Sequence, residues 1–73
     1  MKVVVRDMHR FYEGQPDMVE LGEYESIQLT GVLLRDDNDR TIATHHDDLG
    51  WVVPGLNDDE GQPWYWSDIT IGP

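Results

Sequence analysis

Apolar residues in this chain come in short runs, broken at close intervals by Gly, Pro, Asn and Asp. Val3-Val4-Val5 is a β-branched run and predicts a first strand. Met8, Phe11 and Tyr12 have i, i+3, i+4 spacing, which predicts one helical turn ahead of Gly14. Gln15-Pro16-Asp17 predicts a turn. Met18–Leu21 fits helix or strand: Asp17 and Glu20 have the spacing of a capping box, but Gly22 stops a helix there. Glu25–Leu34 gives the clearest long strand, with Ile27 and Leu29 alternating with Ser26, Gln28 and Thr30. Gly31 interrupts it, and Val32-Leu33-Leu34 is apolar on both faces, which predicts a bulge or bend at the glycine.

Asp36-Asp37-Asn38-Asp39 is turn chemistry, because short acid and amide side chains bond their own backbone. Thr41–Thr44 is the expected return strand of that hairpin. Gly50 leads into a strand over Trp51-Val52-Val53, expected to end at Pro54-Gly55, and residues 57–63 read as a polar loop. Trp64–Ile71 is the expected last strand, with Tyr65, Ile69 and Ile71 on one face and Trp64 and Trp66 on the other. Neither an internal repeat nor a linker is evident. The pattern predicts one mostly-β domain, a small antiparallel sheet or a barrel-like one, with at most one short helical turn.

Size and composition narrow this further. At 73 residues, such a chain buries only about 60% of its unfolded surface, so the core is thin. There is no cysteine, hence no disulfide, thiolate chemistry or Cys zinc site. The run Val3–Val5 is far shorter than the roughly 7–15 residues of a signal-peptide core, and no stretch reaches the ~18 apolar residues of a membrane span. A small intracellular domain is expected.

Charge changes the picture most. Fifteen Asp and Glu face five Lys and Arg, for a net charge of −10. Lys2, Arg6 and Arg10 make the start cationic, whereas no Lys or Arg follows Arg40. Few cations leave little means of displacing phosphate counterions, so direct nucleic-acid affinity is not expected, nor is attraction to anionic membranes. The balance favours a basic partner, reached by electrostatic steering. Solubility alone also accounts for such a charge.

Candidate chemistry is sparse. His45-His46-Asp47-Asp48 has metal-ligand residue types, but adjacent strand residues point to opposite faces, and His9 would have to be brought in by the fold. A calcium loop beginning at Asp36 fails where it needs an acid or amide and a glycine, since Arg40 and Thr41 stand there, and it ends on Asp47 rather than Glu. Ser26 and Ser67 lie in strand-like stretches, not on a nucleophile elbow. With no phosphate-cradling glycine loop, neither an enzyme nor a bound cofactor or metal is expected.

Two surfaces remain as candidates for a partner. If the first strand lies at a sheet edge, its unpaired backbone could accept an extended segment; Lys2 and Arg6 could equally guard that edge. Trp51, Trp64 and Trp66 suit a sheet core, or one of Trp64 and Trp66 is exposed as an anchor for a cationic or proline-containing peptide. The candidate contact residues are Val3, Val4, Val5, Arg6 and Asp7, followed by Phe11 and Tyr12. To these we add the acids Asp36, Asp37, Asp39, Asp58, Asp59 and Glu60, and the indoles Trp64 and Trp66.

From Met1-Lys2-Val3-Val4-Val5-Arg6-Asp7-Met8-His9-Arg10-Phe11-Tyr12 to Trp64-Tyr65-Trp66-Ser67-Asp68-Ile69-Thr70-Ile71-Gly72-Pro73, the chain resembles a small transcription inhibitor and antiterminator of a lytic Xanthomonas phage. Length and opening residues carry the likeness; no short motif transfers a functional residue. The resemblance implies a monomer in the host bacterial cytoplasm that binds RNA polymerase. It would dock on the beta-prime N-terminus and near the beta flap, beside the RNA exit channel. There it would block sigma-dependent initiation and, helped by the elongation factor NusA, allow read-through of intrinsic terminators. An acidic mimic of DNA, occupying another basic protein, is the alternative.

Overall fold

A computed structural model describes residues 1–7 and 17–73. The expected turn of helix over Met8, Phe11 and Tyr12, the turn at Gln15-Pro16 and the position of His9 lie outside the described residues.

Among the described residues eight strands form two antiparallel sheets: β1 (Lys2–Arg6), β2 (Met18–Glu23), β3 (Ile27–Thr30), β4 (Leu33–Asp36), β5 (Thr41–His46), β6 (Gly50–Asn57), β7 (Pro63–Trp66) and β8 (Asp68–Gly72). The smaller sheet has the order β2-β1-β8 and the larger the order β3-β4-β5-β6-β7. The chain passes from the small sheet to the large one at Tyr24–Ser26 and returns at Ser67, so the two sheets join at two corners. The mostly-β expectation holds, and among the described residues there is no helix.

The core forms where β1 faces the large sheet. Val3 and Val5 share one face of β1 by the two-residue period of a strand, and both are fully buried. Val5 packs with Ala43, Val53 and Trp66, while Val3 packs with Leu34 and Ile42. Burying each valine is worth about 1.5–3 kcal/mol, a large share of the stability of so small a domain. At the corner near the N-terminus, the terminal ammonium donates to the Tyr24 carbonyl at 2.6 Å, and the Tyr24 N–H donates to the Met1 carbonyl at 2.8 Å. At the other corner the Ser67 hydroxyl donates to the Arg6 carbonyl at 3.1 Å.

Several expectations are corrected. The single strand over Glu25–Leu34 is a hairpin: Thr30 pairs with Leu33 and Leu29 with Leu34, so the chain reverses at Gly31-Val32. Gly31 has φ +60, which suits the first central residue of a two-residue hairpin turn. Met18–Leu21 is strand, with Leu21 left over as a bulge where the partners of Val3 and Val4 jump from Gly22 to Glu20. β6 runs on through Pro54-Gly55, because Val53–Leu56 has no partner on β5 or β7; a proline there costs no ladder bond. The last strand is two strands in two sheets, broken at Ser67.

The face assignment inverts over Trp64–Trp66 but holds for Ile69, which packs against the core. Trp66 is 2% exposed and Trp64 half-buried, whereas Tyr65 and Ile71 are 37% and 46% exposed. Finally, β1 is the central strand of its sheet, paired with β2 on one side and β8 on the other, so it offers no free edge.

Candidate protein-binding surface

Strand direction sorts the loops of the large sheet into two ends. The β4–β5 and β6–β7 loops lie at one end, together with the start of β3. The β3–β4 and β5–β6 turns lie at the other. The first end therefore collects Asp36, Asp37 and Asp39 with Asp58, Asp59 and Glu60. All six candidate acids share one end of the large sheet.

The two loops are built alike. In the first, Asp36 Oδ1 accepts from the N–H groups of Asn38 and Arg40, both at 2.9 Å. In the second, Asp58 Oδ1 accepts from Glu60 at 2.9 Å and Gln62 at 2.8 Å. The Asp36 N–H donates to the Arg40 carbonyl at 3.0 Å, and the Asp58 N–H donates to the Gln62 carbonyl at 2.8 Å. The fourth residue of each loop takes positive φ, Asp39 at 65 and Gly61 at 82. Each leading aspartate spends an oxygen on turn geometry and is half-buried. Asp37, Asp39, Asp59 and Glu60 are exposed and free to act through their charge. An ion pair of Arg35 with Asp39 at 3.5 Å is solvent-exposed and offsets little of it. The shared pattern Asp-Asp-x-Asp/Gly-x was present in the sequence as 36–40 and 58–62, but its equivalence shows only when both segments close hairpins at the same end.

Between the base of the β4–β5 loop, the Val53–Leu56 stretch of β6 and β2 opens a groove of about 440 Å³. It follows from the departure of Val53–Leu56 from the ladder, which uncovers the β5 side of the core. Buried Ile42 and Val53, with Val19, Leu21 and Leu56, give it apolar walls; Glu20, Asp36 and Arg40 supply its charged lining. Glu20 also meets Lys2 at 3.6 Å. An apolar trough with carboxylates at its mouth suits a segment carrying both apolar and basic side chains.

The other candidates are dispersed. Val3, Val5 and Trp66 are buried and hold the two sheets together, so they have no surface to offer a partner. Val4 is half-buried on the opposite face of β1, and Arg6 is exposed at its end. Asp7 Oδ2 accepts from Trp64 Nε1 at 3.1 Å, an internal tie that occupies the indole donor. Phe11 and Tyr12 lie outside the described residues. His45 and His46 diverge as expected, His45 against Trp51 with ring centroids 4.9 Å apart and His46 edge-on to Tyr65 at 6.0 Å. Among the described residues no three His, Asp or Glu side chains converge as metal ligands, and no helix is long and apolar enough to cross a membrane. Comparison with protein-family profiles, with curated proteins and with solved structures finds no match to this chain.

Proposed function

We propose that this protein is a phage-encoded regulator that docks on the host bacterial RNA polymerase through the acidic end of its large sheet. The observation that carries the reading is the assembly of two like-built acidic loops at one end of the large sheet, the first of which borders a groove with apolar walls. The walls of the RNA exit channel handle a polyanion and should be basic, so an acidic end is steered to them. The sites in question are the beta-prime N-terminus and the beta flap, reached in the bacterial cytoplasm. Seated there, the protein inhibits sigma-dependent initiation. Its carboxylates repel or narrow the path of nascent RNA, which disfavours a terminator hairpin and allows read-through with NusA. A DNA mimic would need its carboxylates in a line at about phosphate spacing. Here six of the fifteen lie in two compact loops, and the rest include Asp47 and Asp48 at the opposite end of the sheet and Glu20 and Glu23 on β2. Pull-down with purified polymerase tests the proposal: retention at low salt that weakens as salt rises supports it, and no retention at low salt refutes it.

A further inference from the structure

The sheets have four edge strands, β2, β8, β3 and β7, and three of them carry devices that deter pairing with another chain. β2 has exposed Glu20 and Glu23 and a bulge at Leu21. β8 begins with Asp68. β7 begins with Pro63 and sits opposite the unpaired stretch of β6. Charge, proline and bulges are the usual means of blunting an edge. β3 has none of them: Ser26-Ile27-Gln28-Leu29-Thr30 holds no charge and no proline, and its register with β4 is unbroken.

Leu29 adds a second, independent observation. It lies directly across from Leu34, so the two side chains share a face of the sheet. Leu34 is 1% exposed in the core, yet Leu29 is 61% exposed. The core row thus ends one strand too early, with an apolar side chain on the core face and, among the described residues, no further strand beside it. Backbone direction agrees. Thr30 and Leu33 close a two-residue hairpin and bond each other, and antiparallel alternation then turns the N–H and C=O of Leu29 and Ile27 toward the open side.

We propose that the free edge of β3 takes an extended segment of another protein as an added strand, with an apolar side chain set beside Leu29 and basic residues near by. A second copy of this chain is disfavoured as the occupant, because it would bring a further net charge of −10 to a surface already at −10. A cationic segment gains from the same field. The geometry is strand addition, in which main-chain bonds supply affinity and alternate side chains supply selectivity. The surface is separate from the acidic loops, since Leu29 lies toward the Gly31-Val32 turn at the other end of the sheet. It stands whether or not polymerase is the partner.

The test uses the full chain, ¹⁵N-labelled, with the synthetic peptide Lys-Thr-Val-Thr-Val-Thr-Lys as probe, at moderate salt to suppress loose charge pairing. Saturable shifts centred on residues 27–30, with slowed exchange of the Leu29 amide, are the expected result. Leu29→Pro removes the outward N–H without touching the ladder to β4, and Leu29→Thr removes the inward apolar group. Each should weaken binding by about tenfold or more while the melting curve shows a folded protein. A probe with proline at its centre should bind no better. The proposal is overturned by absence of saturable binding, by shifts centred on 36–40 and 58–62 that survive Leu29→Pro, or by protection of the Leu29 amide that grows with protein concentration alone. The last result would assign the edge to a second copy.

Discussion

Both ends of the five-stranded sheet close antiparallel hairpins, but they do so with different loops and different exposed side chains. At the acidic end, Asp36 and Asp58 each fold a five-residue loop around one carboxylate oxygen. At the other, the turns rest on positive φ at Gly31 and Asp48, and the residues left over, Leu29, Val32 and Leu49, are 61%, 48% and 57% exposed. The acidic end places its free carboxylates in water, where they act at a distance set by ionic strength. The other end also carries exposed Asp47 and Asp48, but its exposed Leu29, Val32 and Leu49 act only on contact. A small domain thus gains a long-range steering end and a short-range contact edge from one sheet.

Four changes test that division, beginning with the scaffold that supports both ends. Gly50 has φ +117, and a Cβ there would collide with the carbonyl oxygen of Trp66. Gly50→Ala should cost more than about 3 kcal/mol and abolish binding at both ends together, seen as loss of the cooperative melt. Leu34→Ala, at the core side of the same sheet, should cost about 2–5 kcal/mol by the cavity it leaves. A quadruple variant, Asp37→Asn, Asp39→Asn, Asp59→Asn and Glu60→Gln, spares both turn-forming aspartates. It should keep the fold and weaken polymerase binding at low salt by about 10- to 100-fold, whereas Leu29→Thr should not alter the salt dependence. Asp36→Ala and Asp58→Ala each remove an acceptor of two backbone bonds, and each should cost about 1–2 kcal/mol in urea unfolding. If the loops are independent, the double variant should show the sum. The smallest effect is on free protein: carboxylate repulsion within each loop is screened by salt, so the melting temperature should rise by a few degrees, about 1–4 °C, between low and moderate NaCl.

Turns written in short polar residues were legible in the sequence. Asp36–Asp39 announced itself because acids and amides there bond their own backbone, and β1 and β5 followed from β-branched and apolar runs beside such signals. What was not legible depended on parity. Ile27 and Leu29 face the core on odd positions, but Leu34 does so on an even one, and only a reversal of two residues at Gly31-Val32 reconciles them. Likewise Trp64 and Trp66 face inward on even positions and Ile69 on an odd one, because the chain changes sheets at Ser67. A lone glycine or serine in an apolar run does not say whether it bends, bulges or reverses a strand. Whether β1 lay at an edge was not legible for a non-local reason: its partners β2 and β8 are far apart in the chain. The turn role of Asp36 was legible, but the placement of both acidic loops at one end of the large sheet is a property of strand direction.

Chemical-shift perturbation of the labelled protein by purified polymerase, across a salt series, tests the central claim most directly. The account predicts perturbation concentrated on residues 36–40 and 58–62 and the groove residues Val19, Leu21 and Leu56, fading as salt rises and reduced in the quadruple variant. Absence of binding at low salt would contradict it, as would a footprint that avoids both loops.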